Sequence, residues 1–140
     1  MTRQQIITIA RSYLGTPFHH QGRLKGVGVD CVGLVVCVMR ELGIEVKDSF
    51  DYNGKPDSVL LRDKLREHFN EIAPHEAKLA DILLFTIGKN PQHLGFVSSV
   101  GGSNDIIHTH MGVKAVVETH IGSWARQVVS AFEIPEVCDE

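Results

Sequence analysis

The strongest constraint on this chain is the unbroken apolar run Cys31-Val32-Gly33-Leu34-Val35-Val36-Cys37-Val38-Met39, closed by Arg40-Glu41-Leu42-Gly43. Its β-branched content suits a strand. A run of this length without alternation, followed by charged residues and a terminating glycine, favours a buried helix. Asp30 stands where an N-cap belongs, which puts Cys31 at the first helical position. Apolar residues occur all round this helix, so it should be central and covered on most sides. Gly33 would let another backbone approach its first turn. With 140 residues, 43% of them apolar, the chain can bury one core around such a helix, and residues 1–140 are read as a single domain.

The flanking segments supply what covers it. Thr2 and Gln5 have capping-box spacing, and Ile6, Ala10 and Tyr13 follow with helical periodicity. This predicts a first helix over 3–14, stopped by Gly15 and Pro17. Residues 16–29 read as a glycine-punctuated loop carrying His19, His20, Gln21, Arg23 and Lys25. Residues 44–57 are turn-rich, ending Asn53-Gly54-Lys55-Pro56-Asp57. Leu61, Leu65 and Phe69 mark an amphipathic helix over 58–69. Strand-like stretches follow at 81–87, 93–100, 106–110, 113–119 and 128–134, with turns at Asn90-Pro91 and Gly101-Gly102. Helices first and an antiparallel strand cluster after predict an α+β fold.

Several function classes are disfavoured. Fourteen Lys and Arg against seventeen Asp and Glu, a formal charge of −3, provide no basic stripe for nucleic acid. No segment approaches the ~20 apolar residues that span a bilayer, and no partner membrane is expected. Met1 to Leu14 has no secretion-type apolar run, so the expectation is synthesis in the cytoplasm. The three cysteines, Cys31, Cys37 and Cys138, contain no CxxC pair for zinc or dithiol chemistry and suit a reduced compartment. No cofactor is expected.

Cys31 is the leading candidate for chemistry. A first helical turn presents unpaired amide hydrogens and the positive end of the helix dipole. These favour a thiolate, and they can hold the oxyanion formed when a carbonyl is attacked. Packing as a small apolar residue is the competing reading for Cys31 and the favoured one for Cys37. A cysteine nucleophile needs a base and a group to orient it. His93 opens a predicted strand after the Asn90-Pro91 turn. Pairing of 93–100 with 104–110 would set an imidazole of the next strand against its distal nitrogen. His108 and His110 share one face there, and periodicity does not choose between them. A zinc hydrolase using His93, His108 and His110 is a further possibility, although no HExxH helix is present.

These segments, in this order, resemble the NlpC/P60 family of cysteine peptidases. Ala10-Arg11-Ser12-Tyr13-Leu14-Gly15-Thr16-Pro17-Phe18 is similar to the family's lead-in, and Gly28-Val29-Asp30-Cys31-Val32-Gly33-Leu34-Val35 to its nucleophile motif. Asp81 to Phe85 resembles the strand before the base, His93-Leu94-Gly95-Phe96-Val97 the base motif, and Ile107-His108-Thr109 the segment bearing the third polar residue. The resemblance covers residues 3–134. His20 to Cys31, Val116-Val117-Glu118 and Trp124 are most similar to the phage tail-associated and prophage branch.

The resemblance implies a papain-like core, with the nucleophile opening a buried central helix packed on an antiparallel sheet of five to six strands. It implies Cys31 as nucleophile, His93 as general base and His108 as the orienting third member. It also implies a cleft or oxyanion site near Asp30, Phe18, His19, Gln21 and Val32. The implied activity is thioester-forming hydrolysis of peptidoglycan stem peptides, between D-glutamate and diaminopimelate or lysine. The implied setting is the cell wall, reached in a phage particle beside tail-tip proteins or after release. Phe18 stands where many relatives carry a tyrosine, and Val32 where serine is frequent. The alternatives are therefore an inactive tail-assembly or wall-binding protein, or a cysteine amidase or acyltransferase on the same fold.

Overall fold

In a computed structural model, which describes residues 1–48, 58–87 and 90–138, the apolar run forms helix α2, Cys31–Glu41, with Gly33 to Met39 buried. Asp30 is its N-cap, its carboxylate accepting the Gly33 N–H at 2.7 Å. Helix α1, Arg3–Arg11, opens with the capping box between Thr2 and Gln5 and presents Ile6, Ile7 and Ala10 to the core. It ends sooner than its periodicity suggests, at a Ser12 cap. Tyr13 stays buried because the turn that follows leads straight into Gly15, at φ +86°. Helix α3, Ser58–His68, buries Leu61 and Leu65, with Phe69 just beyond it. The Asn53–Asp57 turn lies outside the described residues.

The expected loop at 16–29 contains a small hairpin, β1 (Arg23–Leu24) and β2 (Gly28–Val29). Two-residue strands leave no periodicity to read. The main sheet holds β3 (Asn70–Ile72), β4 (Ile82–Ile87), β5 (Asn90–Val97), β6 (Asp105–His110), β7 (Ala115–His120) and β8 (Val128–Glu133), in the order β3-β8-β4-β5-β6-β7. Every neighbouring pair is antiparallel. The fold is thus α+β with a six-stranded sheet. Strand β3 was not anticipated, because a short edge strand after a helix has no alternation of its own. The Asn90-Pro91 turn is also displaced: Asn90 and Pro91 already pair with Ile87 and Thr86, so His93 lies inside β5 rather than at its start.

The two faces of the sheet differ. Ile82, Leu84, Leu94, Phe96, Ile107, Val116 and Phe132 share one cluster with the three helices. Leu83, Phe85, Val97, Ile106 and Ala131 form a second cluster, covered by Ile121 and the 3-10 helix Gly122–Gln127 that carries Trp124. Arg3, buried, ties the start of α1 to one end of the neighbouring strands β4 and β8 through Asp81 at 2.6 Å and Glu133 at 2.7 Å. No helix among the described residues is long and apolar enough to cross a membrane.

Candidate active site

The loop before α2 is fastened to the helix by one carboxylate. Asp30 Oδ1 accepts from Gly33 N–H and, at 3.1 Å, from Arg23 Nη1, while Oδ2 accepts the Gln21 N–H at 2.9 Å. Arg23 also bonds both oxygens of Asp48 through Nε, at 3.0 and 2.9 Å. The expected close approach at Gly33 is real: a Cβ there would lie 2.0 Å from the carbonyl oxygen of Gly22. This packing holds Cys31, a half-buried residue, at the opening of α2.

Ladder β5–β6 pairs only Val97 with Ile106 and Phe96 with Ile107 among the described residues. Past that point the strands part. The N–H of Leu94 is directed at the Cys31 sulfur, as are those of Val32 and of Cys31 itself. Strand N–H groups lie in the plane of their sheet, so the sulfur sits at the gap between β5 and β6, beside the residue that follows His93. The three amides favour the thiolate. Burial outweighs them, with the charge of Asp30 adding to it, and the thiol is pushed up to about 12. The sequence expectation of a thiolate favoured by the helix terminus is therefore corrected: desolvation of the sulfur exceeds what the terminal amides return.

His93 and His108 come together as expected, Nε2 of the first 2.9 Å from Nδ1 of the second. Both are buried, 3% and 0% exposed. Their rings lie on the second face of the sheet, where Phe85 is 5.6 Å and Trp124 5.3 Å from His93 between ring centroids, and Trp124 is 5.6 Å from His108. Burial first, then His108 and His110, lowers His93 to about 3; burial, then His110, lowers His108 to about 4. At neutral pH the pair is uncharged and the thiol keeps its proton. A base and an acid in this state exchange a proton only as a thiolate–imidazolium pair, in which each charge offsets the cost of burying the other.

His110 shares the face of His108, 5.5 Å away between centroids, and its Nδ1 accepts the Val113 N–H at 3.0 Å. The facing nitrogens of His93 and His108 are bonded to each other, which leaves no room for an ion between them. Among the described residues no three His, Cys, Asp or Glu side chains converge as a metal site.

Of the other expected residues, Phe18, His19 and Gln21 lie in the segment before α2 and Val32 in its first turn. Phe18 is half-buried, and its N–H donates to Lys114 O at 2.8 Å. His19 is exposed, bonded through its N–H to Val29 O, with its ring Nδ1 donating to His20 O. Gln21, at φ +60°, and Val32 are half-buried.

Three contributors were not identified from sequence as parts of the site. Leu94 acts through its backbone, which no side-chain pattern reveals. Trp124 approaches from a 3-10 turn remote in sequence. Thr119 meets His108 diagonally across two strands, its Oγ1 3.0 Å from Nε2; knowing the β6–β7 register would have found it.

Comparison with known proteins identifies the family and the fold. The family model described as NlpC/P60 family matches residues 15–133. No curated protein matches the chain in sequence. Among solved structures, the NlpC/p60 domain of the peptidoglycan hydrolase SagA superposes with a TM-score of 0.71 at 20% identity, covering 96% of this chain and all of that one. A protein of the same family from Staphylococcus aureus gives 0.69 at 20% identity, over 94% of this chain and 41% of its own. The peptidoglycan hydrolase RipB from Mycobacterium tuberculosis gives 0.65 at 21% identity, over 94% and 64%. With its nucleophile motif, base motif and sheet all within the matched residues, the chain belongs to the NlpC/P60 family.

Proposed function

We propose that the chain is a cysteine endopeptidase that hydrolyses peptidoglycan stem peptides. The observation that carries this reading is the Cys31 sulfur, met by three N–H groups at the gap where β5 leaves β6, one residue from the bonded His93–His108 pair. Family membership and the peptidoglycan hydrolases of the same fold, SagA and RipB, support the substrate class. The bond cut is the amide between D-glutamate and diaminopimelate or lysine.

In this mechanism His93 takes the Cys31 proton as the sulfur attacks the amide carbonyl. The same amides that face the sulfur at rest hold the tetrahedral oxyanion. His93 then gives its proton to the leaving amine, and water, deprotonated by His93, hydrolyses the thioester. His108 orients His93 and accepts part of the imidazolium charge. Asp30 fixes the first turn of α2, and Phe18, His19, Gln21 and Val32 border the cleft. Phe18 has no hydroxyl, which leaves oxyanion binding to backbone amides. We further propose that the enzyme acts at the cell wall, carried in a phage particle beside tail-tip proteins or released from the cell; the similarity of His20 to Cys31 to that branch supports this.

The test is digestion of purified peptidoglycan with mass spectrometry of the fragments. Cys31→Ala should abolish product while leaving the melting curve near wild type, and His93→Ala should lower turnover by about 100-fold or more. Undiminished digestion by Cys31→Ala would overturn the proposal.

A further inference from the structure

Of the imidazoles gathered around Trp124, His110 is the one the mechanism leaves unused, and the backbone fixes the place of its proton. The Val113 N–H reaches His110 Nδ1 at 3.0 Å. A backbone amide can only donate, so Nδ1 is bare and the neutral ring carries its hydrogen on Nε2. An imidazolium has no bare nitrogen and would forfeit this bond. The turn that supplies the amide closes over the ring at Gly112, where a Cβ would lie 2.9 Å from Cε1 and 3.2 Å from Nδ1 of His110. The ring is thus held through one nitrogen, and the other is left over.

That second nitrogen is open. His110 is half-exposed. Among the described residues no group bonds its Nε2. The buried side-chain polar atoms without a partner there are Ser98 Oγ and Thr109 Oγ1, so Nε2 reaches the surface. His110 shares the second face of the sheet with His108, 5.5 Å away between ring centroids, and Trp124 is 6.4 Å from it. Counting on from the β5–β6 pairs, Phe96 with Ile107 and Val97 with Ile106, His110 stands across the gap from His93. A neutral N–H donor therefore opens at the rim of the His93–His108 pair.

The proposed substrate supplies an acceptor for it. Glutamate has two carboxyl groups, and when one is spent in the scissile amide the other is a free carboxylate a few bonds away. The amides of Cys31, Val32 and Leu94 are directed at the sulfur, so that carboxylate needs a donor of its own. We infer that His110 is a substrate-binding residue whose Nε2–H receives the free carboxylate of the glutamyl residue and so selects the amide brought to Cys31. This inference rests on the reading of the chain as a peptidoglycan endopeptidase. A donor that is neutral suits this place, because a cation at His110 opposes the charge that His93 takes on as base.

Two amide side chains separate this role from that of a mere tether for the turn. Glutamine puts an N–H donor where Nε2 stands and no acceptor at the place of Nδ1. Asparagine puts an acceptor at the place of Nδ1 and no donor at that of Nε2.

The experiment uses the full-length chain with Cys31→Ala, so that bound peptide stays uncut, alone and combined with His110→Gln or His110→Asn. Calorimetry at pH 7 measures the binding of two synthetic stem peptides. One has D-glutamate joined to lysine through its side-chain carboxyl; the other has 4-aminobutyrate in its place, the same residue without the free carboxylate. The Cys31→Ala protein should bind the first about tenfold more tightly, the effect of one hydrogen bond to a charged acceptor. His110→Gln should keep most of this preference, and His110→Asn should lose it. The first peptide, and not the second, should also shift the His110 Nε2 signal in proton–nitrogen NMR, a reading that needs no variant at the position. Equal affinity for the two peptides, an unmoved Nε2 signal, a preference that survives in His110→Asn, or one lost alike in both variants would overturn the inference. Wild-type protein that binds the first peptide and leaves it uncut would instead count against the proposed function.

Discussion

Acidification from pH 7.5 to 5 should cost the native state stability through two side chains, His93 and His108. In the unfolded chain each titrates near its ordinary value of about 6.5. In the fold they are held near about 3 and about 4, burial being the larger cause in both. Between those values the unfolded chain binds protons that the native state refuses, so stability rises with pH. Their contribution is complete above the unfolded value and drains away as pH falls toward the folded values. At pH 5 the loss is about 2 kcal/mol for each, or about 4 kcal/mol together, because both remain neutral in the fold across this window.

Against a typical domain stability of 5–15 kcal/mol this is a large fraction. Glu71 does not confuse the result. The Ser130 hydroxyl above all, with Arg66 and Arg62, holds it down to about 2, and its contribution is surrendered below the window. Burial raises Asp81 against the hydrogen bonds from the Lys78 N–H and Arg3, so its shift runs in the opposite sense to that of the two histidines. The assay is urea denaturation at pH 7.5 and 5, where the midpoint should fall by on the order of 1–2 M. It is paired with NMR titration of the imidazole C–H signals. If the His93 and His108 signals titrate near pH 6.5 in the folded protein, the reasoning is refuted regardless of the denaturation curve.

Two further outcomes follow from the fastening of α2. Asp30→Ala removes a helix cap and one partner of buried Arg23, which keeps Asp48; unfolding free energy should drop by about 3 kcal/mol, and a loss under about 0.5 kcal/mol in urea titration would contradict the role given to Asp30. Gly33→Ala forces a methyl group against the Gly22 carbonyl oxygen, a backbone atom; it should cost about 2 kcal/mol or more, and a wild-type melting curve would show that the contact is loose.

Much of this fold is legible in the chain because its elements announce themselves by period or by punctuation. The apolar run with Asp30 before it and Gly43 behind it specifies α2, the Thr2–Gln5 spacing specifies the start of α1, and Leu61, Leu65 and Phe69 specify α3. Hairpin geometry across Gly101-Gly102 made it legible that an imidazole of the next strand meets His93, and the choice of His108 over His110 came from the family resemblance. What escaped has no local signature. Strands β1, β2 and β3 are too short to alternate, and the early end of α1 depends on its tertiary surroundings. The acidity of Cys31 depends on how completely the sulfur is desolvated, and that is a property of packing rather than of position in a helix.

The parting of β5 from β6 has a consequence for how such a protein can evolve. Zipping the two strands further would satisfy more backbone groups and add cohesion, yet it would consume the Leu94 amide and close the slot beside the Cys31 sulfur. Selection for robustness alone would drive the sheet toward that sealed form. On the proposed mechanism an intact opening at this seam goes with retained chemistry, and a descendant that had become merely a scaffold would be free to lose it.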